Sequence, residues 1–254
     1  MIKKKRLVLK VGSAVLTEQN RIAKDRMNNL VKFIAELMQF YEVILVSSGA
    51  VAAGYTYLKI NKKIVANRQA LASVGQPLLM INYGKKFEKL GINIAQILLT
   101  ADDFDSRKRT RFAQDAIEAL LANRVLPIIN ENDVTATQEL VFGDNDQLSA
   151  YVTKYFDANI LVILTDIDGY YDTNPKENPN AKLKKIVNFI SEAELDQQHS
   201  ANNEFATGGI VTKLKSAHFL MKYNIPTFLS SGFNLTFAKS FLITGVHTRG
   251  TIFR

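Results

Sequence analysis

The chain has no cysteine and no tryptophan, and only three histidines, His199, His218 and His247, spread over 254 residues. The missing cysteine excludes disulfides, thiolate nucleophiles and thiolate metal sites, and so few imidazoles make histidine-based acid–base chemistry an unpromising theme. No apolar run approaches the ~20 residues that span a bilayer. The N-terminal Lys3-Lys4-Lys5-Arg6 is not accompanied by the apolar region and small-residue cleavage site of a signal peptide. Residence in the cytoplasm, without a membrane partner, is the expectation. Low-complexity linkers and internal repeats are also missing, so a single domain over 1–254 is the simplest division.

What is present is a globular composition, 47% hydrophobic and 22% charged, long enough to bury a core. A net charge of +8 permits an anionic partner, either a phosphorylated small molecule or a nucleic acid, and charge alone does not choose. The densest basic cluster, Arg107-Lys108-Arg109-Thr110-Arg111, follows Asp102, Asp103 and Asp105 and has few aromatics around it. It reads as a solvated surface or a subunit contact, and a nucleic-acid partner is not expected.

Short continuous Val/Ile/Leu runs have strand character: Leu7 to Leu9, Val43 to Val46, Ile92 to Leu99, Val125 to Ile129, and Ile160 to Leu164. Continuous runs suit strands buried on both faces. Between them, Arg26 to Tyr41, Arg68 to Leu90, Arg111 to Ala122 and Asp146 to Phe156 carry helical periodicity. Alternating strands and helices predict right-handed βαβ units and a parallel sheet covered on both sides. Lys10, Gly12 and Ser13 follow the first strand, Ser47-Ser48-Gly49 the second, Thr100 the third, Asn130 to Asp133 the fourth, and Thr165-Asp166 the fifth. In open parallel sheets ligands bind outside the carboxyl ends of the strands, so these residues are expected to line one cleft. Two Asn-Pro pairs, at 174–175 and 178–179, mark Thr173 to Lys185 as a loop, and Asp196 to Phe205 reads as a second one.

The segment Ala206 to Lys213 sets Gly208 and Gly209 ahead of a helix that runs to about Tyr223, followed by a strand-like Pro226 to Leu229. Glycines let backbone N–H groups approach an anion, the first helical turn offers unpaired donors, and Lys213 adds a full charge, an arrangement suited to phosphate. The spacing is neither that of a Walker A loop nor GxGxxG, and an isolated Gly-Gly is more often a turn.

Taken in order, Lys10-Val11-Gly12-Ser13, Ser47 to Gly54, Asn130 to Asp133, Phe142 to Ala150, Thr165 to Tyr171, and Thr207 to Lys213 resemble the amino-acid kinase family across nearly the whole chain. Ala206 and Ile210 stand where that family often has glycine and methionine. The resemblance implies a three-layer α/β/α sandwich around a mainly parallel sheet, with an N-terminal portion that binds the amino acid and a C-terminal portion that binds ATP. The SSGAVAAG, NEND and FGDND elements resemble the members that phosphorylate the side-chain carboxylate of L-glutamate, with Mg²⁺ accompanying ATP. By the same resemblance Lys10 and Lys213 lie on the ATP phosphates and Asp146 organises both lysines. Ser48, Asp133 and Asn145 are implied to contact glutamate: Ser48 and Asn145 its carboxylates, Asp133 its α-ammonium. Thr165, Asp166, Thr207, Gly208, Gly209, Ile210, Val211, Thr212 and Lys213 are implied to contact the nucleotide.

Competing readings of single residues are a helix cap for Ser48 and for Asp146, a turn residue for Asp166, and surface snorkelling for the lysines. A homo-oligomer, dimer or tetramer, and inhibition by proline are further implications. Gly250 to Arg254 falls where the kinase domain would finish, so the C-terminal PUA domain of many members is expected to be absent. The alternatives are another carboxylate or nucleotide kinase of the family, acting on acetylglutamate, aspartate, carbamate or uridylate, and a non-catalytic RNA-binding protein.

Overall fold

The structure, a computed structural model, describes residues 4–136, 145–175, 177–196 and 209–254. In chain order these form β1 (Lys5–Val11), α1 (Ser13–Leu16), β2 (Thr17–Glu18), β3 (Arg21–Ile22), α2 (Lys24–Leu37), β4 (Tyr41–Ser47), α3 (Ala50–Gly54) and α4 (Val65–Glu88). Next come β5 (Ile94–Leu99), α5 (Ala101–Asp105), α6 (Arg107–Ala122), β6 (Leu126–Glu131), α7 (Asp146–Tyr155) and β7 (Ile160–Thr165). The remainder is β8 (Ile186–Val187), α8 (Glu192–Leu195), α9 (Gly209–Met221), β9 (Thr227–Ser231), α10 (Thr236–Lys239), a π-helical turn (Ser240–Thr244) and β10 (Thr251–Phe253).

Eight strands make one sheet in the order β5-β6-β4-β1-β7-β9-β10-β8. The six from β5 to β9 are mutually parallel, and the two short strands beyond them run the opposite way, β10 antiparallel to β9 and β8 parallel to β10. Strand alternation divides the apolar side chains between two cores. Leu7, Leu9 and Val11 of β1 join Val43, Leu45, Val162, Leu164 and Phe228 under α2, α4 and α10. Val8 joins Ile44, Val46, Leu161, Ile163 and Leu229 under α5, α6, α7 and α9. Helices therefore cover both faces, the three-layer sandwich expected. On α2, Met27, Leu30, Val31, Ile34 and Leu37 recur at three- and four-residue spacing and are all buried, each contributing roughly 1.5–3 kcal/mol.

The fold departs from the sequence reading at the edge. Ile92 to Leu99 reads as a strand buried on both faces, whereas β5 ends the sheet with Leu98 exposed, because it has a neighbour, β6, on one side only. No sequence signal marked β8, β10 or the β2–β3 hairpin, which are two or three residues long and borrow their conformation from a partner strand. Thr173 to Lys185 is a loop as expected, pinched by a bridge between Tyr171 and Leu183, while the second expected loop lies, beyond Asp196, outside the described residues. Among the described residues no helix is long and apolar enough to cross a membrane.

One packing contact sets up the cleft. α3 lies directly on α4: a Cβ at Gly75 would fall 1.7 Å from Ala50 O, and one at Gly54 would fall 1.9 Å from Leu71 O. Only glycine permits backbones that close. The chain enters α3 through Gly49 at φ +109°, a left-handed conformation that also favours glycine.

Candidate active site

Because six strands are parallel, their carboxyl ends lie at one edge, and short backbone bonds tie those ends together. Gly12 N donates to Leu164 O (3.0 Å), Ser48 N to Val11 O (3.2 Å) and Gly232 N to Thr165 O (2.7 Å). Polar residues far apart in sequence thus share one rim, as the strand-end pattern led one to expect.

At its centre is Asp146, the first residue of α7 and fully buried. Lys10, on the central strand β1 opposite Val46 and Ile163, sends its Nζ to Asp146 Oδ1 at 2.6 Å. Lys213, in the second turn of α9, places its Nζ 3.0 Å from Oδ2, and Thr212 Oγ1 donates to the same oxygen at 2.8 Å. Lys213 Nζ also donates to Gly209 O at 2.7 Å, which holds it against the first turn of its own helix. Burial by itself would raise the Asp146 pKa, but the charges and hydrogen bonds of Lys10 and Lys213 outweigh it and hold the carboxyl well below the ordinary aspartate range. Two lysines from sequence positions 203 residues apart are therefore positioned by one ionised carboxylate. The capping and snorkelling readings fail here: the carboxylate is committed to the lysines, and Lys10 and Lys213 are 0% and 5% exposed.

Asn145 precedes Asp146 and begins α7 without a side-chain cap bond. Its Nδ2 donates instead to Asn130 Oδ1 (2.7 Å) and Ser47 O (2.9 Å), with Ser48 Oγ at 3.3 Å. With both hydrogens engaged, Oδ1 is the atom it has left for a ligand, so donation to a substrate carboxylate, the role implied for Asn145, is not the one this geometry favours. Ser48 is half-buried beside it, and the residue at the start of α3 is Gly49, so Ser48 caps no helix. Asp133, in the turn after β6, has its carboxyl pKa raised by burial, which the positive charge of Arg68 offsets only in part.

On the other flank Thr165 ends β7 buried, its Oγ1 bonded to Asp166 Oδ1 at 3.0 Å, with Asp166 exposed. Gly209 opens α9, and a Cβ there would meet no atom among the described residues. Ile210 and Val211 are buried in the core, so any contact they make with a ligand is through the backbone. Thr207 and Gly208 lie outside the described residues, as do Phe142 to Asp144. The structure thus gathers Lys10, Asp146, Thr212 and Lys213 by direct contact, and Asn145 with Ser48 beside them.

The basic cluster at Arg107 to Arg111 is elsewhere: its charged side chains are exposed at the start of α6, where Arg107, Lys108 and Arg111 line a surface depression of about 560 Å³ with Phe112 and Asp115. Thr100, at the end of β5, forms a capping box with Asp103 for α5. Among the described residues no three Asp, Glu or His side chains group as metal ligands. The sequence pattern placed Asn130 among the cleft-lining strand ends but gave no role to Gln76, whose buried amide stands behind it, because nothing local distinguishes Gln76 from an ordinary helix residue.

Comparison with known proteins places this geometry. The family model described as "Amino acid kinase family" matches residues 5–231. A glutamate 5-kinase from Wolinella succinogenes is 59% identical over 98% of this chain and 97% of its own length, and one from Leishmania donovani is 55% identical over 98% and 95%. Among solved structures, an isopentenyl phosphate kinase in a substrate complex shares the fold at a TM-score of 0.68 and 16% identity, covering 98% of this chain and 100% of its own. Matched over most of its length by the family and over nearly all of it by these relatives, the chain belongs to the amino acid kinase family.

Proposed function

We propose that this chain transfers the γ-phosphoryl group of ATP to the side-chain carboxylate of L-glutamate, giving L-glutamyl 5-phosphate and ADP, the first step of proline biosynthesis. The observation that carries the reading is the seating of Lys10 and Lys213 on the two oxygens of Asp146 at the carboxyl edge of the sheet. Near neutral pH the acceptor carboxylate, with a reference pKa of about 4.3, is already a nucleophile, so no general base is needed. One of its oxygens forms the new bond to the γ-phosphorus as the bond to the ADP oxygen breaks. Charge on the transferring group is met by the two lysine ammoniums and by the N–H groups at the start of α9, and the gain comes from positioning and electrostatics.

In this reading the first half of the chain holds the amino acid and the second half ATP. Asp133 pairs with the α-ammonium and Ser48 donates to a carboxylate. Asn145 Oδ1 accepts from the ligand, and Thr165, Asp166 and the segment from Thr207 to Lys213 border the nucleotide. Mg²⁺ fits as a companion of ATP: with Asp146 engaged by the lysines, the described residues supply no cage of their own, and the cation would be held mainly by phosphate oxygens and water. Cytoplasmic residence and assembly as a homo-oligomer complete the proposal.

The test is ATP-dependent acyl-phosphate formation trapped with hydroxylamine, offering glutamate beside N-acetylglutamate, aspartate, carbamate and UMP, with ADP release followed in parallel. Glutamate-selective hydroxamate supports the reading. ADP release with another acceptor moves the substrate, and no turnover with any of them sinks it.

A further inference from the structure

Behind Asn145 a chain of amides runs from the cleft to the far edge of the sheet. Asn145 Nδ2 donates to Asn130 Oδ1 (2.7 Å), Asn130 Nδ2 to Gln76 Oε1 (2.8 Å), and Gln76 Nε2 to Gln96 Oε1 (3.0 Å). The first three residues are 7%, 4% and 8% exposed, and Gln96, on β5, reaches solvent. Four amides from α7, β6, α4 and β5 are thus linked head to tail.

The direction of the chain is fixed by backbone groups that cannot reverse roles. Ser47 O only accepts, so the Asn145 atom 2.9 Å from it must be Nδ2. Glu131 N–H only donates, so the Asn130 atom 2.9 Å from it must be Oδ1. With Oδ1 so placed, Asn130 turns its Nδ2 to Gln76, which must answer with an acceptor. An amide is otherwise free to exchange its two ends at little steric cost, and here each link removes that freedom from the next.

We propose that Gln76 is a positioning residue for the acceptor site, holding Asn130, and through it Asn145, so that Asn145 presents its carbonyl oxygen to the ammonium-bearing amino acid. This rests on the kinase reading above. Gln76 directly follows Gly75, the residue at which α4 lies closest against α3. With an apolar side chain at 76, Asn130 Nδ2 is left buried without an acceptor, and the cheapest repair is to turn the amide, which sets two acceptors or two donors face to face along the chain. The penalty falls on the acceptor pocket and leaves the Lys10–Asp146–Lys213 cluster intact.

The experiment is steady-state kinetics of the full chain with hydroxamate detection, varying glutamate and ATP separately, for the wild type, Gln76→Leu and Gln76→Glu, with thermal melting of each. Gln76→Leu is expected to raise the glutamate KM roughly tenfold while the ATP KM stays within about twofold. Gln76→Glu keeps an acceptor for Asn130, and exposed Gln96 can turn to donate to it, so this variant is expected to recover most of the glutamate affinity. A purely structural role would lower the melting temperature and move both KM values together, without rescue by glutamate at 76. Equal KM shifts for both substrates, or a Gln76→Leu enzyme indistinguishable from wild type, overturn the proposal. A wild type that makes no hydroxamate from glutamate overturns the function itself and is recognised before any variant is compared.

Discussion

At the scale of single residues, the site is a problem of burying charge. An isolated ammonium or carboxylate inside a protein carries a penalty of several kcal/mol, and here Lys10 and Lys213 are each seated on an oxygen of Asp146. Asp146→Asn takes away the carboxylate that both lysines share, so turnover should fall by orders of magnitude and stability by about 3–5 kcal/mol, read from activity and chemical denaturation. Because the folded-state pKa of Asp146 is depressed, its stabilisation is complete above the ordinary aspartate pKa and is lost as pH falls through the folded value. The asparagine variant should lack that acid-side loss. Asp133 has the opposite sign. Its pKa is raised, so its ionised form opposes folding, and that cost is relieved as pH falls through the raised value. Asp133→Asn should therefore melt no lower than wild type at neutral pH, and slightly higher, while its glutamate KM rises sharply. In the wild type, the glutamate KM should climb on acidification above the pH at which an ordinary aspartate titrates. A lower melting temperature for Asp133→Asn, with glutamate affinity unchanged, would contradict both the burial cost and the assigned role.

At the scale of elements, legibility followed the source of each element's stability. Strands β1, β4, β6 and β7 could be read because each is a continuous apolar run whose own composition demands burial on two faces. The carboxyl-end residues could be read for the same reason, since they mark where those runs stop. β10 and β8 could not, because a strand of two or three residues exists only through its neighbour. The long helix α4 reads through Pro77, although a proline removes an N–H and disfavours helix before it, because the apolar residues on either side keep their period. Of the amide chain, Asn145 and Asn130 were legible as strand-end and motif residues, but Gln76 looks like any polar residue in a helix until the fold buries it against Asn130. The α3–α4 contact beside it is testable at the same scale. Gly75→Ala would drive a methyl to within 1.7 Å of Ala50 O, so α3 and α4 must separate. The expected result is a loss of several °C in melting temperature together with a raised glutamate KM, whereas Gly209→Ala, whose Cβ meets nothing among the described residues, should melt like wild type.

At the scale of the whole molecule, one sheet carries both halves of the proposed reaction at one edge, with the amino-acid side on β4 and β6 and the phosphate side on β7 and α9. The two meet at the start of α7, where Asn145 belongs to one and Asp146 to the other. These are consecutive residues, and no cis peptide occurs among the described residues, so their Cα atoms stand about 3.8 Å apart by covalent geometry alone. In the proposed reaction the side chain that grips the amino acid and the one that holds the two lysines thus leave the backbone one peptide unit apart, a gauge set by covalent bond lengths. A side chain of the wrong length cannot be accommodated by sliding one half against the other. Aspartate, one methylene shorter than glutamate, would hold its carboxylate about 1 Å short of the phosphorus, and its kcat/KM for hydroxamate formation should be lower by roughly a hundredfold or more. Comparable rates for the two acids would mean that the gauge lies somewhere other than at the Asn145–Asp146 junction.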